Sequence, residues 1–464
     1  MATFSYIATI VAVVVSTIWL AKVHWRKVYP SKTLPGIPLV EFDGDNSRDR
    51  YTKEAASLLV KGYDKSSTLS QVGGPSITDE IQTSARLNLN HALNKLIEPM
   101  QISCFQAAAE VMPDCPDWTS VVMYPNILEL FSRMSACVMV GPELSDKWPA
   151  ISLKYINRVL AAQGAIRKKY YPALYWTAAY FNPEVAAVNQ ARREAAELVR
   201  PALEARQADY AANGGNAEKH DDFIQWIMEN YRANGKTITP DETVQNIFIV
   251  MFASMHGTSF IALQSLFSLL GTPGAVAEVR EEIERVSKEE LDDSHLWTRH
   301  ALGQLRTMDS FMKETLRTKP FQEATVQRVS IVPYTFKDGL NVPENTIISF
   351  PNLRFNMDPS RDAPGCNAAT FHGTRWLESR TDFNTSKYQF ASTADDSFDW
   401  GGGLHACPGR FMADFTIKLM LICLITKYDM KVVEGGEERP AEGRRFLDMA
   451  PDTSIPIIVR DIKS

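Results

Sequence analysis

The sequence of 464 residues is poor in cysteine, and its few cysteines show no paired spacing. They are Cys104, Cys115, Cys137, Cys366, Cys407 and Cys423. Zinc sites and disulfide frameworks both use cysteines in closely spaced pairs, so neither is indicated, and the chain suits a reducing compartment. Excess positive charge is also missing, since the net charge at pH 7 is −6. A protein that binds nucleic acid needs a basic surface, so this class of partner is excluded.

Charge is absent from residues 4–21, a run of 18 residues interrupted only by Ser and Thr. This length is about enough for a helix to span a bilayer. Basic residues follow within 22–27 and none precedes the run, which predicts a cytoplasmic location for the rest of the chain. A cleaved signal peptide is the alternative, but its basic start and small-residue cleavage site are missing. We therefore expect a membrane anchor over 1–27 and a proline-containing hinge over 28–47.

A second stretch, residues 243–270, has no acidic or basic residue except His256. The four residues before it, Thr239 to Glu242, form a capping box with proline at the first helical position. This pattern predicts a helix of roughly 30 residues, about 45 Å long. A second membrane span is the alternative. Because Gln245, Asn246 and Gln264 add further polar groups along the run, we interpret it as a buried core helix.

The remaining sequence predicts a mainly α-helical protein with small β-sheets. Apolar residues recur at helical spacing over residues 87–212 and again over 411–428. Alternating apolar and polar residues over 326–350, around a turn at 337–339, predict a small sheet. Short strands are expected over the last thirty residues. An amphipathic helix is expected over 48–63, whereas residues 64–84 are polar and rich in turns.

The stretch 398–413 combines glycine with cysteine. The glycines Gly401–Gly403 precede Cys407, and Pro408 and Gly409 follow it. Glycine lacks a Cβ, so such a backbone can turn sharply and approach a flat ligand. Proline suits the first turn of a helix, which puts Cys407 at a helix N-terminus, where the thiolate is favoured and can bind a metal. For a lone cluster of this kind, a buried structural cysteine beside a turn would be the better interpretation.

The full spacing, however, resembles the haem-binding signature of the cytochrome P450 superfamily. Trp400, Gly403, His405, Cys407 and Gly409 occupy its aromatic, glycine, basic, cysteine and second glycine positions. The family usually has Phe and Arg at the first and third positions, although filamentous-fungal members often have the histidine. The resemblance implies a cytochrome P450 fold and haem b, with Cys407 as the axial ligand of iron. The chemistry that it implies is oxygen activation.

Within the long helix, residues 253–259 are similar to the family's oxygen-binding segment. His256 stands at the position of the acid, and Gly257 replaces the threonine that the family usually has there. Thr258 is the next hydroxyl, so the resemblance implies that His256 and Thr258 organise proton delivery. The alternative is that both are polar groups satisfied within a core helix.

Other positions of the resemblance concern the scaffold. Arg328 aligns with an arginine that binds a haem propionate. Glu314 and Arg317 lie on one helix face and would alone be interpreted as a surface ion pair. With Arg375 they match a buried, structural Glu-Arg-Arg cluster. Between residues 64 and 86 the chain is shorter than the family pattern by several tens of residues, which removes the usual tryptophan and arginine at a propionate.

The resemblance thus implies a haem-thiolate monooxygenase domain over 48–464. It would insert one atom of O2 into an apolar small molecule, as fungal members do in secondary-metabolite biosynthesis, with electrons from an NADPH-cytochrome reductase. The anchor predicts a single-pass protein of the endoplasmic reticulum membrane whose catalytic domain is cytoplasmic. Two alternatives remain. Gly257 suggests a reductase-independent haem-thiolate isomerase or dehydratase, and the shortened segment suggests a non-catalytic haem-binding protein.

Overall fold

The structure, a computed structural model, confirms a mainly helical chain with small antiparallel sheets. The residues that it describes are 78–169, 182–330, 332–336, 339–344, 346–361, 367–380, 386–394, 397–433, 442–445 and 448–462. The expected anchor, hinge and amphipathic helix over 48–63 lie outside these residues, as does most of the segment 64–86.

Helices make up most of the described chain. In chain order they are α1 (Asp79–Thr83), α2 (Leu89–Val111), α3 (Met123–Val140), α4 (Trp148–Lys169), α5 (Pro183–Asn213), α6 (Phe223–Ala233), α7 (Pro240–Leu270), α8 (Ala275–Glu290), α9 (Arg299–Gln304), α10 (Arg306–Thr318), α11 (Asn352–Asn356), α12 (Arg375–Glu378) and α13 (Arg410–Lys427). The strands are β1 (Thr119–Val122), β2 (Thr325–Val329), β3 (Tyr334–Thr335), β4 (Asn341–Val342), β5 (Ile347–Phe350), β6 (Tyr428–Lys431), β7 (Glu442–Arg445), β8 (Asp448–Pro451) and β9 (Pro456–Asp461).

The long central helix is α7, which begins and ends where the sequence predicts. Thr239 Oγ1 accepts from Glu242 N at 3.3 Å, and Thr239 N donates to Glu242 Oε2 at 2.9 Å, so both halves of the capping box are present. Among the described residues, α7 is the one helix long and apolar enough to span a membrane. It packs instead against α3, α5, α10 and α13, with Phe248, Met251 and Leu266 in the core.

Two predictions for the first half of the chain are wrong in part. The polar segment expected to reach residue 84 becomes helical at Asp79, because the Thr78 side chain caps α1 by accepting from Ile81 N at 3.4 Å. A π-helical turn, Ser84–Asn88, then leads into α2. The expected helical region also contains strand β1, which pairs with β9 at the C-terminal end. No local pattern reveals a pairing between segments so far apart.

The sheets are small and antiparallel. The largest has the order β1-β9-β6, and the two-stranded pairs are β2 with β5, β3 with β4, and β7 with β8. The strands predicted over 326–350 are confirmed, and Arg328 on β2 lies opposite Ile348 on β5. The predicted turn at 337–339 lies partly outside the described residues. Gly339 has a φ of +90°, a conformation that favours glycine.

A group of buried charges joins α10 to α13. We call it the Asp309 network, and its members are Asp309, Arg380, Asp414 and Lys418. Lys418 is 2% exposed. Its Nζ lies 2.8 Å from Asp309 Oδ1 and 3.0 Å from Asp414 Oδ1, and Arg380 pairs with Asp309 Oδ2. Burial of charges without partners would be prohibitive, so these pairings fix the relative position of the two helices.

Burial and the neighbouring charges shift the pKa values of Asp309 and Asp414 in opposite directions. It alone would raise the pKa of Asp309, but the charges of Lys418 and Arg380 outweigh it and hold that pKa below its ordinary value. For Asp414, burial prevails over the charge of Lys418, and the pKa rises to about 6. The pKa of Lys418 is raised: burial lowers it, but Asp309 and Asp414 together outweigh burial. Lys418 therefore stays charged, whereas ionisation of Asp414 lowers the free energy of unfolding.

We expect Asp414→Asn to stabilise the protein at about pH 8 and to lose this gain toward about pH 4. A carboxyl with a raised pKa stabilises the fold fully below its ordinary value of 3.8, and this stability is lost as the pH rises through about 6. The matched Asp309→Asn should destabilise at about pH 8, because a lowered pKa contributes stability above the ordinary value. The urea midpoint of unfolding at each pH is the measurement. Equal shifts of the urea midpoint in both variants at about pH 8 would contradict the opposite pKa shifts assigned to Asp309 and Asp414.

Candidate haem-thiolate site

The loop before Cys407 folds back on itself, and two of its glycines have positive φ. These angles are +76° at Gly401 and +57° at Gly403. A Cβ on Gly401 would lie 3.1 Å from the backbone oxygen of His405, so a side chain there would crowd the backbone as well as strain its conformation. Cys407 N donates to Trp400 O at 2.7 Å and closes the loop. The predicted loop residues are thereby held together in one turn.

The loop is anchored on both sides of its aromatic position. Trp400 Nε1 donates to Phe390 O at 2.7 Å, and the two rings meet edge to face at 5.2 Å. The neighbouring Asp399 accepts from Asn352 Nδ2 at 2.7 Å and from Asn356 Nδ2 at 2.8 Å. Burial raises the pKa of Asp399 above its ordinary value despite these donors. Sequence reasoning missed Asp399, because its partners lie more than forty positions away on α11.

The surroundings of the Cys407 sulfur combine burial with donors. Helix α13 begins at Arg410, so Pro408 precedes the helix instead of forming its first turn. Burial raises the pKa of the Cys407 thiol, whereas the backbone N–H groups of Gly409 and Arg410 and the Arg410 charge act against this rise. The predicted effect of the helix start is therefore present but smaller than that of burial. A thiol in this position suits a cation that binds the sulfur and replaces its proton.

Helix α7 has one accessible face within its otherwise buried length. Met251, Met255 and Ser259 are buried, whereas side chains at three- and four-residue spacing are partly or fully accessible. Those that lie toward one side are Ile249, Ala253, His256, Gly257 and Phe260, and the neighbouring Val250, Phe252 and Ser254 are partly accessible as well. A Cβ added to Gly257 would meet no atom within 4 Å. We call the first five residues the open face of α7.

A haem fits these features. The sulfur of Cys407 has two backbone N–H groups and an arginine charge that favour its anionic form, as a thiolate ligand requires. A Cβ added to Gly403 or to Gly409 would meet no atom within 4 Å, so the loop leaves space beside the cysteine. The open face of α7 provides the apolar surface that a macrocycle and a substrate require.

His256 lies on the open face, whereas Thr258 is only 7% exposed and lies off it. Tyr124 at the start of α3 places its hydroxyl 2.6 Å from His256 Nδ1. The other ring nitrogen, Nε2, is buried and has no hydrogen-bond partner among the described residues. Burial lowers the pKa of His256 and raises the pKa of Tyr124. Both side chains are therefore neutral at physiological pH.

The two basic residues predicted at the site are exposed. Arg328 lies on β2 and donates from Nη1 to Gln327 O at 2.8 Å. His405 ends the 3₁₀ turn Gly403–His405 within the loop. Both are thus accessible to an anionic group of a ligand.

A further basic residue, Arg86, was not predicted. Burial lowers the pKa of the partly buried Arg410, the charge of Cys407 acts against this, and the charge of Arg86 adds to the lowering, so Arg86 is near enough for its charge to act on Arg410. Asn90, at the start of α2, connects the π-helical turn that contains Arg86 to the cysteine loop, since its Nδ2 donates to Arg86 O at 2.8 Å and lies 3.4 Å from Pro408 O. Sequence reasoning missed Arg86 because the shortened segment around it obscures the alignment with the family pattern.

Glu314, Arg317 and Arg375, proposed as a cluster, lie together in the structure. Glu314 is 0% exposed, and Arg317 binds both of its carboxylate oxygens at 2.7 and 2.8 Å. Arg375 Nε lies 3.1 Å from Oε1. Trp376 Nε1 and His372 N complete the shell of donors at 3.1 and 3.0 Å. The surface ion pair considered as the alternative is therefore not the arrangement found.

This cluster reaches the cysteine loop through one side chain. Asn356 Nδ2 lies 3.1 Å from Arg317 O and 2.8 Å from Asp399 Oδ1. Arg317 Nη1 in turn donates to Asn356 O at 2.6 Å. The position of Asp399, and with it the neighbouring Trp400, is thus tied to the buried carboxylate of Glu314.

Comparisons with known proteins agree with this geometry. The chain is 30% identical to cytochrome P450 monooxygenase cheE of Chaetomium globosum over 94% of this chain and 93% of that protein. It is 26% identical to pyrichalasin C-7 hydroxylase of Pyricularia grisea, over 87% and 88% of the two chains. The alignment with cheE extends over 488 positions, more than this chain contains, so gaps must be opened in this chain.

The fold is similar to that of a solved structure, retinoic acid-bound cyanobacterial CYP120A1. The TM-score is 0.61 with 17% identity, over 83% of this chain and 80% of that chain. The sequence model of the family described as Cytochrome P450 matches residues 90–455. This match includes α7, the Glu314 cluster and the Cys407 loop, and it covers most of the chain. The chain therefore belongs to the cytochrome P450 family.

Proposed function

We propose that this cytochrome P450 monooxygenase holds haem b through Cys407 and oxidises an apolar small molecule of fungal secondary metabolism. Membership of the family brings a haem with a cysteine thiolate on iron, O2, a small-molecule substrate and a redox partner. The observation that carries the proposal is the Cys407 loop, whose donors favour an anionic sulfur, together with the open face of α7. A haem with a thiolate ligand supplies the oxygen activation.

The residues of the loop would shape the cofactor site. Gly403 and Gly409 leave space for the macrocycle, and Trp400 holds the loop against the core. The cationic or basic side chains Arg328 and His405 would bind the haem propionates, as charge-assisted hydrogen bonds favour. Arg86 is a further candidate for this role because it lies close to Arg410.

The substrate would lie against the open face of α7. Ile249, Ala253 and Phe260 make this face largely apolar. A relative of this chain is described as a C-7 hydroxylase of pyrichalasin, which supports insertion of oxygen at carbon. Binding to such a face orients the substrate and excludes water, and the pocket selects by shape and by a few polar groups.

His256 and Thr258 would organise proton delivery to oxygen. Gly257 opens the space between them, where an ordered water can replace the hydroxyl that the family usually places there. Thr258, the next residue along the helix, is buried off the open face, and its hydroxyl would hold such a water from that side.

The redox partner would be an NADPH-cytochrome reductase at the endoplasmic reticulum membrane. The supporting observation is the charge-free run 4–21 followed by basic residues, which favours a single-pass anchor with a cytoplasmic catalytic domain. Extraction of the membrane fraction with alkaline carbonate tests the anchor. The full-length chain should stay with the membrane and the chain without residues 1–27 should be released more readily, whereas a soluble full-length chain would refute the anchor.

A reductase-independent isomerase or dehydratase is a second candidate function. The observation that favours it is Gly257, because an enzyme that rearranges a peroxide or an oxime needs no threonine to deliver protons to O2. The two candidates differ in whether NADPH is consumed. A non-catalytic haem-binding protein is a third interpretation, suggested by the shortened segment 64–86, and any turnover excludes it.

We expect the reduced carbonyl complex to have a strongly red-shifted Soret band, because a thiolate is the proposed ligand of iron. Cys407→Ala should lose this band. Cys137→Ala, a matched change at a cysteine outside the loop, should keep it. An imidazole-type spectrum of the parent protein, or a red-shifted band retained by Cys407→Ala, would refute the assignment of the ligand.

We expect Thr258→Ala to divert electrons to hydrogen peroxide, because it removes the hydroxyl beside the open space at Gly257. Gly257→Thr should be neutral or harmful, since a side chain would occupy the space proposed for water. The measurement is the ratio of product formed to NADPH consumed in the presence of reductase. An unchanged ratio in Thr258→Ala would remove Thr258 from the mechanism and favour the reductase-independent candidate.

A further inference from the structure

The pair formed by Tyr124 and His256 connects α3 to the open face of α7. The Tyr124 hydroxyl lies 2.6 Å from His256 Nδ1, although the residues are 132 positions apart. The Tyr124 ring also stacks on Phe260 at 5.2 Å, and Phe260 stacks on Phe321 at 6.1 Å. The imidazole is therefore held by one hydrogen bond at the edge of an aromatic wall formed by Tyr124, Phe260 and Phe321.

The hydrogen-bond network assigns the tautomer of His256. Burial lowers the pKa of the imidazole and raises the pKa of the phenol, so the pair is neutral. A phenol O–H is a better donor than a phenol oxygen is an acceptor, and among the described residues His256 Nδ1 is the partner found for the Tyr124 hydroxyl. Nδ1 thus accepts, and the single proton of the neutral ring lies on Nε2.

The Nε2–H donor has no acceptor among the described residues. The Nε2 atom is buried, and a buried donor without a partner is costly to the protein. The same residue lies on the open face of α7, next to Gly257, where an added Cβ would meet no atom within 4 Å. An oxygen atom of a ligand bound against the open face would supply the missing acceptor.

We propose that Tyr124 is a positioning residue that fixes His256 with Nε2–H directed at an oxygen of the substrate. The substrate would then be a molecule with an apolar body for the aromatic wall and a carbonyl, hydroxyl or ether oxygen for His256. This inference rests on the proposed function for the site itself. It adds the chemical class of the substrate and a residue of α3 that no motif of the family indicates.

The test uses the haem-loaded full-length protein and a set of polycyclic ketones, each paired with the hydrocarbon of the same skeleton. Dissociation constants are measured from the change in the haem spectrum on binding. The preference for the ketone is the dissociation constant of the hydrocarbon divided by that of the ketone. This ratio is compared between variants, so that differences in solubility between the two ligands cancel. The variants are Tyr124→Phe, His256→Phe, the double variant and Phe260→Leu.

We expect His256→Phe to reduce the preference roughly three- to tenfold, the size of one hydrogen bond. Tyr124→Phe should reduce it by part of that factor, and the double variant should equal His256→Phe, because the tyrosine acts through the histidine. Phe260→Leu should weaken both ligands alike and leave the preference unchanged. A purely structural role of Tyr124 would likewise change both constants together.

Three outcomes would overturn the proposal. One is a preference that His256→Phe leaves unchanged, including the case in which the parent prefers no ketone. The second is a preference that Tyr124→Phe leaves unchanged, which would make the role of Tyr124 purely structural. The third is an additive loss in the double variant, which would mean that Tyr124 acts on the ligand directly. The reduced carbonyl spectrum of each variant separates this proposal from the function on which it rests. If the parent lacks the red-shifted band, the haem-thiolate assignment fails; if it has the band but no preference, only the role of the pair fails.

Discussion

The buried carboxylate of Glu314 is the constraint on which the cysteine side of the molecule depends. A carboxylate removed from water must be compensated by charges and donors, and loss of one partner of such a group costs about 3–5 kcal/mol. Here Arg317, Arg375 and their neighbours supply that compensation. Because Asn356 carries the contact from Arg317 to Asp399, the same compensation positions the loop that presents Cys407. Charge neutralisation thus decides where Cys407 stands.

The open face of α7 is arranged differently, without buried charges. Among the described residues, the open face of α7 takes part in no ion pair, and most of its side chains are apolar. Its polar groups are few: the imidazole of His256 and, from α3, the phenol of Tyr124. A scaffold fixed by buried charge on one side can tolerate an accessible apolar face on the other, and such a face can be adapted to different substrates.

Local patterns were sufficient for part of this structure. The capping box of Thr239 and Glu242 and the sharp turn before Cys407 can be predicted from neighbouring residues, and both are present in the structure. Arg375 could be joined to Glu314 only through the family resemblance. Contacts between distant segments left no local trace, which is why β1 with β9 and the pair Tyr124–His256 were missed. The start of α1 was missed for another reason, since a polar segment with one capping threonine resembles a loop.

The Asp309 network has a consequence for synthesis of the chain. Asp309 and Lys418 are 109 residues apart, and a ribosome adds roughly 5–20 residues per second. The carboxylate of Asp309 therefore waits roughly 5–20 s before its lysine has been made. Arg380, the other cation that pairs with Asp309, is only 71 residues away and is made earlier. Until Lys418 follows, Asp309 lacks one of its two cations, so burial of α10 carries an electrostatic penalty. The contact between α10 and α13 is therefore among the last to form as the chain is made.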